Sequence, residues 1–137
     1  MDRKEFLSVL GLGAAVVACA HCFEGCMPQD VTTAPTNVDF TLDLTATAYK
    51  GLTTKGGYIY KDGIIVAFIK NGTYIAVSSA CTHAGAAVIY DVNSNEFYCP
   101  SHGSNFAVDG SVVNGPASDP LARYHTSLNG TSLRVYS

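Results

Sequence analysis

Charge is what this chain has least of. Charged residues make up 14% of it, and the formal net charge is −3. A nucleic-acid partner needs a strongly basic face to neutralise phosphates, so that class is excluded. Tryptophan is missing altogether, which decides nothing. Long apolar runs are missing too: the stretch from about Leu7 to Ala18 falls short of the roughly 20 residues a membrane-spanning helix takes. From Val38 onward no stretch carries an apolar face at helical spacing over ten residues. No phosphate-binding loop, Ser/His/Asp order or mononuclear iron triad can be read. Asp39, Asp43, Asp91 and Asp109 form no catalytic pair, and no self-standing active site is expected. The five cysteines are an odd number, which argues against a purely disulfide framework.

What is present fits one domain with short tails: 137 residues, 47% of them apolar. Residues 1–26 read as a signal segment of lipoprotein type. A charged head precedes the apolar run, which ends in Val16-Val17-Ala18-Cys19 and matches a bacterial lipobox. Cys19 is therefore the expected lipidation site, and the chain is expected to be exported and membrane-anchored on the periplasmic side. An ordinary buried helix start is the bland alternative. Arg3-Lys4-Glu5-Phe6-Leu7 resembles a twin-arginine export motif with Lys4 in place of the second arginine. Cys22 and Cys26 read as a local disulfide or free thiols, and nothing near them would order a metal site with His21. Residues 27–37, MPQDVTTAPTN, are Pro/Thr-rich and read as a tether.

Residues 38–137 read as an all-β domain of packed antiparallel sheets or a small barrel. VDFTLDL alternates apolar and polar residues. YIY follows the Gly56-Gly57 break, and IIVAFIK follows the Lys61-Asp62-Gly63 turn. Asn71-Gly72 signals a two-residue hairpin leading into TYIAVSS. Further hairpins pair VIY with EFY and, around Asn129-Gly130, YHTSL with TSLRVY.

Two short clusters carry the chemistry: CTHAGA at 81–86 and CPSHGSNF at 99–106. They give Cys81-x-His83, fifteen intervening residues, then Cys99-x-x-His102. Each lies in a loop at a strand end, with Gly85 or Gly103 soon after the histidine, where backbone must turn tightly around something bulky. Two thiolates and two imidazoles can hold a tetrahedral zinc. They can equally hold a [2Fe–2S] cluster, with the thiolates on one iron and the imidazoles on the other. His125, beside Tyr124 in a strand, reads as a surface residue.

CTHAGA and CPSHGS resemble the two cluster-binding boxes of Rieske proteins, and the resemblance spans about residues 38–137. It implies one [2Fe–2S] cluster, with Cys81 and Cys99 on the inner iron and His83 and His102 on the outer one. GPASDPL at 115–121 is similar to the family's proline-bearing loop over the cluster. Rieske centres lie at roughly −150 to +300 mV, against about −400 mV for plant-type ferredoxins. The free imidazole nitrogens could couple a proton to reduction.

High-potential members carry one more cysteine per box, joined as a disulfide. Ala86 and Ser101 stand at those positions, so the brace is expected to be absent. Ser104 is retained where the family donates a hydrogen bond to a bridging sulfide, whereas Phe106 replaces a donating tyrosine and is expected to pack in the core. An intermediate potential follows. The function implied is one-electron transfer to a redox partner protein, as a lipid-anchored carrier or as the redox subunit of a larger, arsenite-oxidase-like oxidoreductase. A zinc-stabilised binding module is the alternative from another class.

Overall fold

The computed structural model describes residues 34–137. Cys19, Cys22, Cys26, His21 and the whole signal-type segment lie outside the described residues. Among those described, no helix is long and apolar enough to cross a membrane. The expected all-β class is what the chain forms. β1 (Asp39–Asp43), β2 (Tyr58–Lys61), β3 (Ile64–Phe68), β4 (Tyr74–Ser78), β9 (Arg123–Asn129) and β10 (Ser132–Tyr136) make a six-stranded antiparallel sheet ordered β1-β10-β9-β4-β3-β2. β5 (Ile89–Asp91), β6 (Glu96–Tyr98), β7 (Asn105–Ala107) and β8 (Val112–Asn114) make a four-stranded sheet in chain order.

The central strands explain why IIVAF is apolar throughout. Side chains alternate across a strand, and both faces of β3 are covered. Ile64 and Val66 enter one core with Leu42, Leu52, Ala76, Tyr124, Leu133 and Val135. Apart from Leu52, which lies in a 3-10 helix at Thr47–Thr53, those residues come from β1, β3, β4, β9 and β10, so the large sheet curls around this core. Ile65 and Ala67 enter a second core with Ile75, Val77, Val88, Phe97 and Phe106, where the small sheet packs on β3 and β4. Each fully buried Ile, Leu, Val or Phe among them contributes about 1.5–3 kcal/mol. Cys81 and Cys99 belong to the second core.

Two tyrosines fasten the small sheet to the large one. The Tyr60 hydroxyl donates to the Val88 carbonyl at 2.7 Å. The Lys70 N–H donates to the Tyr90 hydroxyl at 3.0 Å, and that hydroxyl donates to Asn95 Oδ1 at 2.6 Å.

The hairpins correct one expectation. The two-residue turn lies at Asp62-Gly63, where φ is 51° and 79° and Lys61 pairs with Ile64. At Asn71-Gly72 the loop has three residues, because Ile69 N–H still donates to the Thr73 carbonyl. Asn71 Oδ1 accepts from the Thr73 N–H and hydroxyl, which keeps Asn71 out of the left-handed region; only Gly72 adopts it, at φ 89°. A short 3-10 helix at Thr47–Thr53 was not expected, and neither were β7 and β8. Residues 35–37, the end of the expected tether, lie against the domain, and the Tyr124 hydroxyl donates to the Pro35 carbonyl at 2.7 Å.

Candidate metal centre

The two cysteine–histidine clusters are six-residue loops of the same design. Residues 81–86 are flanked by the bridge Ala80↔Ala87, and residues 99–104 by the pair Tyr98↔Asn105. In the first, the Cys81 carbonyl accepts from Gly85 N–H at 2.7 Å, and Cys81 N–H donates to the Ala86 carbonyl at 2.8 Å. In the second, the Cys99 carbonyl accepts from Gly103 N–H at 2.9 Å, and Cys99 N–H donates to the Ser104 carbonyl at 2.8 Å. Gly85 and Gly103 close the two loops at φ 76° and 83°, a conformation L side chains rarely adopt. The frames differ in one place: the histidine is the third residue of the first loop and the fourth of the second.

This design sorts the donors by depth. Cys81 and Cys99 are both 0% exposed and unpaired with each other or with any described cysteine. His83 and His102 are exposed, with ring centroids 4.7 Å apart in an edge-on arrangement. The structure therefore brings all four expected donors to one end of the small sheet. A single tetrahedral zinc needs its ligands converging on one point. Among the described residues no three His, Cys, Asp or Glu side chains are grouped in that way. Two buried thiols and two exposed imidazoles, held in separate pairs, suit a group with two metal atoms.

A third loop lies against both. The Thr82 hydroxyl donates to the Asp119 carbonyl at 2.6 Å. Ala117 N–H donates to Ser104 Oγ at 3.0 Å, and Asn114 Nδ2 reaches the Gly103 carbonyl at 3.4 Å. Ser104 is itself 0% exposed. With one lone pair engaged by Ala117, its hydroxyl proton remains free to be donated elsewhere. Phe106 is fully buried opposite Phe97 in the β6–β7 ladder, the packing role expected of it. Ser101, exposed, and Ala86, half-buried, carry no thiol, so no disulfide joins the loops at these positions. His125 is exposed in β9 of the large sheet, with its ring centroid 5.2 Å from that of Tyr136. Thr82 and Ala117 lie within CTHAGA and GPASDPL but, like Asn114, had no expected role, since their bonds end on backbone groups or use a backbone N–H.

The Rieske [2Fe-2S] domain family matches residues 39–125. The cytochrome b6-f complex iron-sulfur subunit of Synechococcus sp. (strain JA-3-3Ab) is 31% identical, covering 98% of this chain and 86% of that protein. The corresponding subunit of Chlorobaculum thiosulfatiphilum is 31% identical over 56% of this chain, and the match spans only 42% of that relative's length. Among solved structures, the plasma membrane Rieske protein from Synechocystis PCC 6803 superposes with a TM-score of 0.52 at 29% identity, covering 75% of this chain and 100% of that one. With paired donors of two kinds in two matched loops, and with that family covering most of the described strands, the chain belongs to the Rieske [2Fe-2S] domain family and carries one such cluster.

Proposed function

We propose that Cys81 and Cys99 bind one iron and His83 and His102 the other, and that the domain is an exported one-electron carrier held at a membrane through lipid on Cys19. The cluster supplies reversible one-electron chemistry when bound. The observation that carries the proposal is the sorting of donors: both thiols fully buried, both imidazoles exposed and 4.7 Å apart. Burial keeps water from the thiolates. The exposed imidazole edge is the place where a redox partner can approach. Ser104 donates its remaining proton toward the buried sulfurs, which favours the more negatively charged, reduced state.

Visible absorption and EPR of the purified full chain test the assignment. A Rieske-type spectrum is expected, lost in Cys99→Ala and altered in His102→Cys. A colourless, EPR-silent protein carrying zinc would overturn it. Cys19→Ser is expected to abolish incorporation of labelled lipid and release the chain from membranes.

A second reading makes the same domain the redox subunit of a membrane complex. It is supported by the cytochrome b6-f subunit aligned over 98% of this chain. The absence of the inter-loop disulfide and of the tyrosine at Phe106 favours the carrier, because both departures point to a potential below that of quinol-oxidising complexes. Co-purification of haem proteins from solubilised membranes separates the two.

A further inference from the structure

No disulfide joins the two cluster loops; the β5–β6 ladder, with Ile89 opposite Tyr98, fixes their bases and leaves their tips to other contacts. At the tips the His83 and His102 rings meet edge-on, with centroids 4.7 Å apart. The remaining connection runs through a third party. From the first loop, Thr82 Oγ1 donates to the Asp119 carbonyl at 2.6 Å. From the second, Ser104 Oγ accepts from Ala117 N–H at 3.0 Å. Asp119 and Ala117 are two residues apart in one short segment, whose far end is tied down where Leu121 N–H donates to the Gly110 carbonyl at 2.8 Å. Ala117 and Leu121 are themselves buried in the same core as Cys81 and Cys99.

We infer that residues 114–121 form a hydrogen-bonded strut standing in for a covalent brace between the cluster loops, with Thr82 and Ser104 as the positioning residues at its two ends. On the first-loop side the connection rests on Thr82 and Asp119, whereas on the second it runs through Ala117 and Ser104 and, at 3.4 Å, through Asn114 and the Gly103 carbonyl. Cutting the Thr82 end therefore uncouples the strut from the first loop, and uncoupling it from the second takes both Ser104 and Asn114. A merely local role for Thr82 would loosen the first loop alone. Given the ligand assignment proposed above, the strut sets how firmly the thiolate and imidazole pairs are held at a common spacing.

The test reads the far loop after cutting the near end. In Thr82→Val of the full chain as purified, amide hydrogen exchange is expected to quicken at Ala117 and at Gly103 in the second loop by about two- to tenfold, the loss of one net hydrogen bond. Thr82→Ser, which keeps the hydroxyl, is expected to restore native protection. Ser104→Ala combined with Asn114→Ala is the reciprocal cut and is expected to quicken exchange at Gly85 in the first loop. Should Thr82→Val not fold, the measurement on that double variant decides alone. Unchanged protection at the distant glycine in either variant overturns the strut, as does failure of serine to rescue. In the iron-loaded chain, Thr82→Val should also bleach faster under a chelator, by a similar factor, with Thr82→Ser at the native rate. If the chain proves to hold no iron, the ligand assignment fails, whereas the exchange result still decides the strut, since it depends only on the bonds between loops.

Discussion

At the scale of single residues, the proposed ligand assignment makes the site turn on who donates to sulfur. Ser104 keeps a proton to give because Ala117 N–H already occupies its oxygen. Its replacement by alanine is expected to lower the reduction potential. A differential of about 1.4 kcal/mol between the two redox states corresponds to about 59 mV for one electron, so a shift of that order is expected in an EPR-monitored titration. Phe106→Tyr is expected to act in the opposite direction: the added hydroxyl enters the core that holds Cys99, where donation to a ligand sulfur favours the reduced state. An unmoved potential would show that the hydroxyl finds a different partner. The four candidate donors stand out in the sequence because cysteine and histidine are rare residue types, and their spacing in two glycine-bearing loops is distinctive. Thr82 was not legible. Its partner is a backbone carbonyl 37 residues away, and a backbone acceptor leaves no mark in residue identity.

At the scale of elements, β3 offers a controlled comparison, since neighbouring isoleucines face different cores. Ile64→Ala and Ile65→Ala should each cost about 2–5 kcal/mol in urea denaturation. Only Ile65→Ala removes packing from the core that contains both cysteines, so it alone is expected to shorten the lifetime of the cluster's visible absorption.

The strand ends also set an acid limit. The Arg134 guanidinium hydrogen-bonded to Asp39 across β1 and β10 holds that carboxyl below the ordinary 3.8. The Thr45 hydroxyl does the same for Asp43, and the Ser111 hydroxyl for Asp109. A carboxyl depressed on folding adds stability that is fully present above its unfolded value and is lost as pH falls toward its folded one. Urea midpoints should therefore hold steady down to about pH 5 and decline below about pH 4, with Asp39→Asn removing part of the slope. The longer strands were legible from alternation and turn residues. β5 and β6, equally short, stood out through the turn residues between them, whereas β7 and β8 were not expected even though Asp109-Gly110 between them is a turn signal of the same kind; the 3-10 helix is shorter than the window in which an apolar face can be recognised.

At the scale of the whole molecule, the charge is placed away from the site. In residues 81–87, 99–104 and 114–121 the only charged side chain is Asp119. Electron exchange at the imidazole edge should therefore respond weakly to salt, changing by less than about threefold as ionic strength rises across the range where the Debye length shrinks from about 30 to 8 Å. Stopped-flow oxidation by a small uncharged acceptor and by an anionic one of similar potential checks this. A steep dependence with the anionic acceptor and not with the uncharged one would mean that charges elsewhere on the domain steer the encounter.

The ladder between the first and last strands has a further use. Asp39 pairs with Tyr136, and Ser137 N–H donates to the Val38 carbonyl at 2.9 Å, so both ends of the domain sit side by side. A short linker could join residue 137 to residue 38, and the ring could be reopened at the exposed Asn93-Ser94 turn between β5 and β6. Such a circular permutant would keep every strand pairing while moving the attachment point of any leash from the large sheet to the small one. How far the redox edge can travel from its anchor would then become a matter of where the ring is cut.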